Sequence, residues 1–93
     1  MELPVKYKGL HWTEKKKVRE LYIERQKGLC CHCGEPLSGN PPKGITRYSI
    51  KRSLFPKNFF DWPIHLHHNH DTGMTIGAVH NQCNAFLWQY LGE

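Results

Sequence analysis

Apolar residues take up a helical period in the first third of the chain. Val18, Leu21 and Tyr22, with Arg25, follow the i, i+3, i+4, i+7 spacing of one helix face. Thr13 precedes this run as an N-cap, Glu14 lies where the helix dipole favours an acid, and Gly28 offers a terminating residue. The spacing predicts a helix over residues 13–27. Residues 1–12, broken by Pro4 and Gly9, read as irregular. Residues 35–63 are the least regular part, turn-rich at Ser38-Gly39-Asn40-Pro41-Pro42, with a strand or short helix expected around Thr46–Leu54. Ile64–His68 then reads as a strand and Met74–His80 as its antiparallel partner, joined through a Thr72-Gly73 turn. Asn81–Leu91 reads as a closing helix with Phe86, Leu87, Trp88, Tyr90 and Leu91 available for the core.

The order helix, strand, strand, helix in 93 residues specifies one small α+β domain. Residues 1–28 form a basic helical extension and residues 29–91 the core, with 35–63 as an irregular insertion. A core of this size supplies little net stability, so a structural metal is an expected staple. The chain opens without an apolar signal segment, so a reducing, cytoplasmic setting is expected, and no apolar run is long enough to span a membrane.

The net charge of +5 is unevenly spread. All 13 Lys and Arg residues lie between Lys6 and Lys57, so residues 1–60 carry +8 and residues 61–93 carry −3. A basic first part suits a polyanion, and DNA is the expected partner. Lys15, Lys16, Lys17 and Arg19 on the predicted helix, and Lys43, Arg47, Lys51, Arg52 and Lys57 beyond it, are the candidate DNA contacts. The alternative is an ordinary solvated face. Aromatic residues alternate with the second basic group, and Phe59, Phe60 and Trp62 are expected to form a satellite core over a metal site.

Cys30-x-x-Cys33 and His80-x-x-Cys83 provide three thiolates and an imidazole, a set suited to tetrahedral Zn²⁺. Each x-x spacing lets two side chains of one turn converge on one ion. Four protein ligands would make the zinc structural. Cys31 is left over as a free thiol; buried thiols or a redox pair are the alternatives for the set.

His65, His67, His68 and His70 fall within six positions, followed by a Gly turn and by Asn84 directly after Cys83. Together with Cys30-x-x-Cys33-Gly34, this order resembles the HNH (ββα-metal) nucleases, in the zinc-clipped branch typified by phage recombination endonuclease VII. The likeness covers residues 29–91. It implies a ββα-metal hairpin and helix, with Cys30, Cys33, His80 and Cys83 as the clip. It further implies His68 as general base, His67 and Asn84 as ligands of a catalytic Mg²⁺ or other divalent ion, His70 near the scissile phosphate, and His65 in support. The expected activity is metal-dependent DNA nicking that leaves 5′-phosphate ends, with a homodimer as one route to double-strand cleavage and a phage or mobile element as the setting.

The residues permit that chemistry. Imidazole takes a proton from water near neutral pH, and a divalent ion with open positions stabilises a phosphorane. Successive helix positions differ by about 100°, so Cys83 and Asn84 can face different metals from one helix start. Neighbours on a regular strand face opposite ways, so His67 and His68 can serve one phosphate only if the strand ends or twists there. Two positions depart from the family pattern. Ile76 replaces a frequent Arg, and Thr75 stands where many members carry the Asn that orients the base, which leaves a backbone carbonyl as the candidate support. The competing readings are a non-catalytic zinc-stabilised DNA-binding module, a protein-binding zinc knuckle, and a histidine-rich loop that merely caps the hairpin.

Overall fold

A computed structural model of the chain describes residues 3–92. Helix α1 (Trp12–Arg25) is followed by a short helix α2 (Lys43–Thr46) and two single 3₁₀ turns, at Arg52–Leu54 and Phe59–Asp61. Strands β1 (Ile64–His68) and β2 (Thr75–His80) form an antiparallel pair, and α3 (Asn81–Leu91) closes the chain. Among the described residues no helix is long and apolar enough to cross a membrane.

The N-cap of α1 lies two residues before the expected Thr13. His11 is the N-cap: its Nδ1 accepts from the Thr13 amide, and the Glu14 carboxylate accepts from the His11 amide. This reciprocal arrangement satisfies amide groups that the first turn leaves without partners. The helix also ends earlier than residue 27. The Lys27 amide donates to Glu24 O and the Gly28 amide to Ile23 O, with both residues at positive φ. That is the Schellman pattern, with a lysine in the left-handed position that the sequence assigned to Gly28. Val18 and Tyr22 are buried against the hairpin, and the Tyr22 hydroxyl lies 2.8 Å from Thr75 Oγ1.

The hairpin pairs Ile64 with His80, His65 with Val79, Leu66 with Ala78 and His67 with Gly77, then skips Ile76 and sets His68 opposite Thr75. A bulge therefore falls between His67 and His68, where sequence parity called for a break in the strand. Bulges re-aim side chains next to them.

The outer edge of β2 is covered by groups that are not a strand. At one end Val5 exchanges hydrogen bonds with Thr75, through Thr75 N to Val5 O (2.8 Å) and Val5 N to Thr75 Oγ1 (3.0 Å). At the other, the Gln26 amide mimics a paired peptide. Its Oε1 accepts from Ala78 N and its Nε2 donates to Ala78 O, each at 2.9 Å, while Nε2 also donates to Leu29 O. The Cys31 amide donates to the same Ala78 carbonyl. Gly77 is required beside this clamp, because a Cβ there would lie 2.8 Å from both Cys31 Sγ and Gln26 Oε1.

Residues 35–63 form no strand; of the strand or short helix expected around Thr46–Leu54, the helical form is found, as α2 at its start and the first 3₁₀ turn at its end. This excursion is fastened to the outer face of α3. Gln89 accepts from Lys51 N and donates to Ser49 O, and Tyr48 packs on Phe86 and Tyr90. Of the α3 residues expected in the core, Leu87 is buried, whereas Trp88, Tyr90 and Leu91 are exposed. The main core joins Val18, Tyr22, Cys30, Leu37, Leu66, Ala78, Val79 and Cys83. It is a layer of apolar contacts with the cysteine cluster at its margin.

Gln26→Ala removes three hydrogen bonds at once and strands the buried Ala78 amide. The expected cost is about 1–3 kcal/mol, read as a lower urea midpoint at unchanged slope.

Candidate metal centre and imidazole cleft

His80 ends β2 and Cys83 lies in the first turn of α3, so one strand-to-helix junction carries half of the cysteine cluster. The other half comes from the turn after α1. There Cys30 N bonds to Glu35 O, Gly34 N bonds to Cys30 O, and Gly34 adopts φ +77°. The ligand atoms of Cys30, Cys33, His80 and Cys83 all lie within 4.8 Å of one another, and this cluster can hold a metal such as zinc. Cys33 Sγ is 3.4 Å and Cys83 Sγ 3.7 Å from His80 Nδ1. A tetrahedron with metal–sulfur bonds of about 2.3 Å has edges of about 3.8 Å, so the spacing fits.

The imidazole is oriented for this role. His80 Nε2 lies 2.9 Å from Pro36 O. A carbonyl only accepts, so Nε2 carries the hydrogen and Nδ1 turns its lone pair toward the thiols. Hydrogen bonding with Cys83 holds the Cys30 thiol down at about 3 in spite of its burial. Its partner Cys83 is pushed up by the same bond and by burial, and Cys33 is raised by burial. A divalent cation would stabilise all three sulfurs as thiolates. Cys31 is exposed and stands outside the cluster, as its spacing indicated.

A separate cleft of about 490 Å³ opens beside β1. Its lining includes the cations Lys15 and Arg19, the polar rings and amide of Tyr7, His65, His68, His70 and Asn84, and the apolar rings of Phe55, Phe59, Trp62 and Trp88. Asn84 Nδ2 lies 3.1 Å from His65 Nδ1. Within that bond the amide donates, so His65 Nδ1 is unprotonated and the Asn84 carbonyl oxygen diverges from His65. The edge-on ring of Phe59 covers His65 at 4.5 Å, and burial lowers its basicity. His68 is pushed down by burial first, then by electrostatic repulsion from its neighbours His70, His67 and Lys15, with a hydrogen bond to the Leu66 backbone pulling the other way. It is therefore neutral at neutral pH.

The structure gathers His65, His68, His70 and Asn84, but the expected pair of His67 and Asn84 does not line one cavity. His67 is buried in a smaller pocket with His68, Asn69, His70, Asp71, Ile76 and Gly92. The reason is the direction of α3. It starts where β2 ends, opposite Ile64, so its first turn lies beside His65; His67 is two residues, about 6.6 Å, further along the strand.

Among the candidate DNA contacts, Lys15 and Arg19 line the cleft, while Lys16 and Lys17 are exposed on α1. Lys43, Arg47, Lys51, Arg52 and Lys57 are exposed along the excursion, with Arg47 over the Tyr48 ring and Arg52 over Phe60. The aromatics of this segment pack on the cleft and His65 rather than over the cysteine cluster, and Trp62 is 65% exposed. Tyr7 is a site residue that sequence reasoning missed. It lies in a segment without periodicity or motif, and only the fold brings it to His68.

One equivalent of zinc per chain is expected on purification from zinc-supplemented medium, measured by atomic absorption. Cys83→Ser should lose it and Cys31→Ser retain it. Chelation should lower the melting temperature, and acidification should release the ion, because protons compete for the thiolates and imidazole. No protein-family model matches this chain, and no curated protein or solved structure matches it either.

Proposed function

We propose that the protein is a DNA endonuclease in which His68 acts as general base. The observation that carries this reading is a neutral imidazole held in the wall of a cleft that also presents Lys15, Arg19 and Asn84. In the proposed reaction His68 takes a proton from water as the water oxygen bonds to phosphorus. The bond to the 3′-oxygen breaks, the leaving oxygen takes a proton from solvent water, and a 5′-phosphate and a 3′-hydroxyl result. Lys15 and Arg19 bind and orient the phosphate backbone. Zinc on Cys30, Cys33, His80 and Cys83 is structural in this reading, because four protein ligands leave no position for substrate.

The HNH-like order of motifs adds a Mg²⁺-class ion that would supply positive charge at the phosphate. Since His67 and Asn84 line different cavities, no step is assigned to that ion here. The same separation favours a second reading, a zinc-stabilised DNA-binding module without catalysis.

Supercoiled-plasmid nicking discriminates the two. The endonuclease is expected to nick in Mg²⁺ or Mn²⁺, and His68→Ala to lower the rate about 10²- to 10⁴-fold while retaining zinc and fold. A binding module instead gives salt-sensitive retention of DNA with no cleavage in any metal. Full nicking by His68→Ala would remove His68 from the base role.

A further inference from the structure

A general base is effective only when its ring is held so that one nitrogen meets the water repeatedly in the same geometry. We propose that Tyr7 is the positioning residue for His68: its ring, laid flat on the imidazole, fixes the plane in which the basic nitrogen works. This rests on the endonuclease reading above.

The Tyr7 and His68 rings are 3.9 Å apart and 5° from parallel. On His68 also lies His70, at 4.8 Å and 15°. Two parallel rings this close to a third would overlap if they shared one of its faces, so Tyr7 and His70 take opposite faces and His68 is sandwiched. Lys15 Nζ sits over the Tyr7 ring at 4.3 Å, which makes a column of Lys15, Tyr7, His68 and His70. A ring in such a column cannot turn about its Cβ–Cγ bond without displacing a neighbour, and the residue borders the cleft.

The column has a rigid footing on both sides. Tyr7 N donates to Gly73 O at 2.8 Å, and Lys6 is bridged to Met74, so the peptide that bears the phenol is tied to the turn just after His68. His68 is held by β1 at the bulge. The Thr75 hydroxyl meets Val5 N and the Tyr22 hydroxyl, and so anchors the segment that carries Tyr7 instead of the base itself. The Leu66 backbone reaches the imidazole, and the stacked Tyr7 ring adds a constraint on its plane. Aromatic stacking specifies ring plane in a way that an aliphatic contact of equal volume does not.

The test compares Tyr7→Phe, which keeps the stack, with Tyr7→Leu, which keeps apolar volume but not the ring. In the zinc-loaded full chain the His68 Hε1 proton, assigned by its loss in His68→Gln, is expected upfield from the Tyr7 ring current. Tyr7→Phe should hold it there and Tyr7→Leu release it downfield. In single-turnover plasmid nicking with Mg²⁺, Tyr7→Phe is expected within about twofold of wild type and Tyr7→Leu about 10- to 100-fold slower at saturating protein, with half-saturation moved less than about twofold. A His68 signal unmoved by Tyr7→Leu would overturn the proposal, as would a wild-type nicking rate or a defect confined to DNA affinity. A wild-type chain that nicks no DNA overturns the endonuclease reading and Tyr7's part in catalysis with it, and the His68 signal then decides separately whether Tyr7 fixes the ring.

Discussion

A two-stranded sheet leaves each strand with unpaired peptide groups along its outer side, and the architecture of this protein follows from how β2 fills that row. Val5 pairs at the Thr75 end, and the Gln26 amide with the Cys31 amide pairs at Ala78. Buried peptide groups without partners are costly, so these attachments are close to obligatory. Each one also fixes a functional part. Val5 brings Tyr7 to His68. Gln26 joins the end of α1 to the sheet, and Cys31 seats the turn that carries Cys30 and Cys33 against the strand that ends in His80. The cysteine cluster and the imidazole cleft are therefore built on opposite ends of one strand edge.

That edge also explains which features were legible in the sequence. The bounds of β1 and α3, the four-ligand cluster and the break between His67 and His68 follow from local signals: alternation, x-x spacing, and the parity of a strand. The Gln26–Ala78 clamp and the Tyr7–His68 stack leave no such trace, because each joins residues more than fifty positions apart through one side chain. His11 as N-cap was hidden for a different reason: Thr13 is the stronger capper by type, but the Glu14 carboxylate and the His11 ring cooperate only when the helix starts one residue earlier than Thr13. The pairing of Asn84 with His65 depended on where α3 crosses β1, which motif order does not encode.

The charge asymmetry of the chain acquires a location in the cleft. The basic N-terminal part contributes Lys15 and Arg19 to its lining, and the lysine-free C-terminal part contributes three imidazoles and an amide. Among the described residues that line this cleft there is no carboxylate. A phosphate group in this cleft would meet cations and neutral donors without a like charge to repel it. Burial and the neighbouring positive groups keep His68 neutral, so the same field that favours an anion in the cleft also keeps the imidazole able to accept a proton.

The absence of carboxylates bears equally on which cation the cleft could take. Mg²⁺ prefers hard oxygen ligands and near-octahedral geometry, commonly with one or two carboxylates. Imidazole nitrogen suits zinc, copper, nickel and iron better. With Asn84 offering one neutral oxygen and the facing side chains offering ring nitrogens, the protein atoms favour a borderline transition ion over Mg²⁺ unless the substrate phosphate brings the missing anionic oxygens. A cation held chiefly by its substrate would bind weakly to the free protein and tightly to the complex. In such a case metal-dependent cleavage would need the phosphate, rather than a second side chain, to complete the coordination. In the proposed reaction His68 would be oriented without help from a resident ion, a task that would fall to the Tyr7 stack and the bulge in the hairpin.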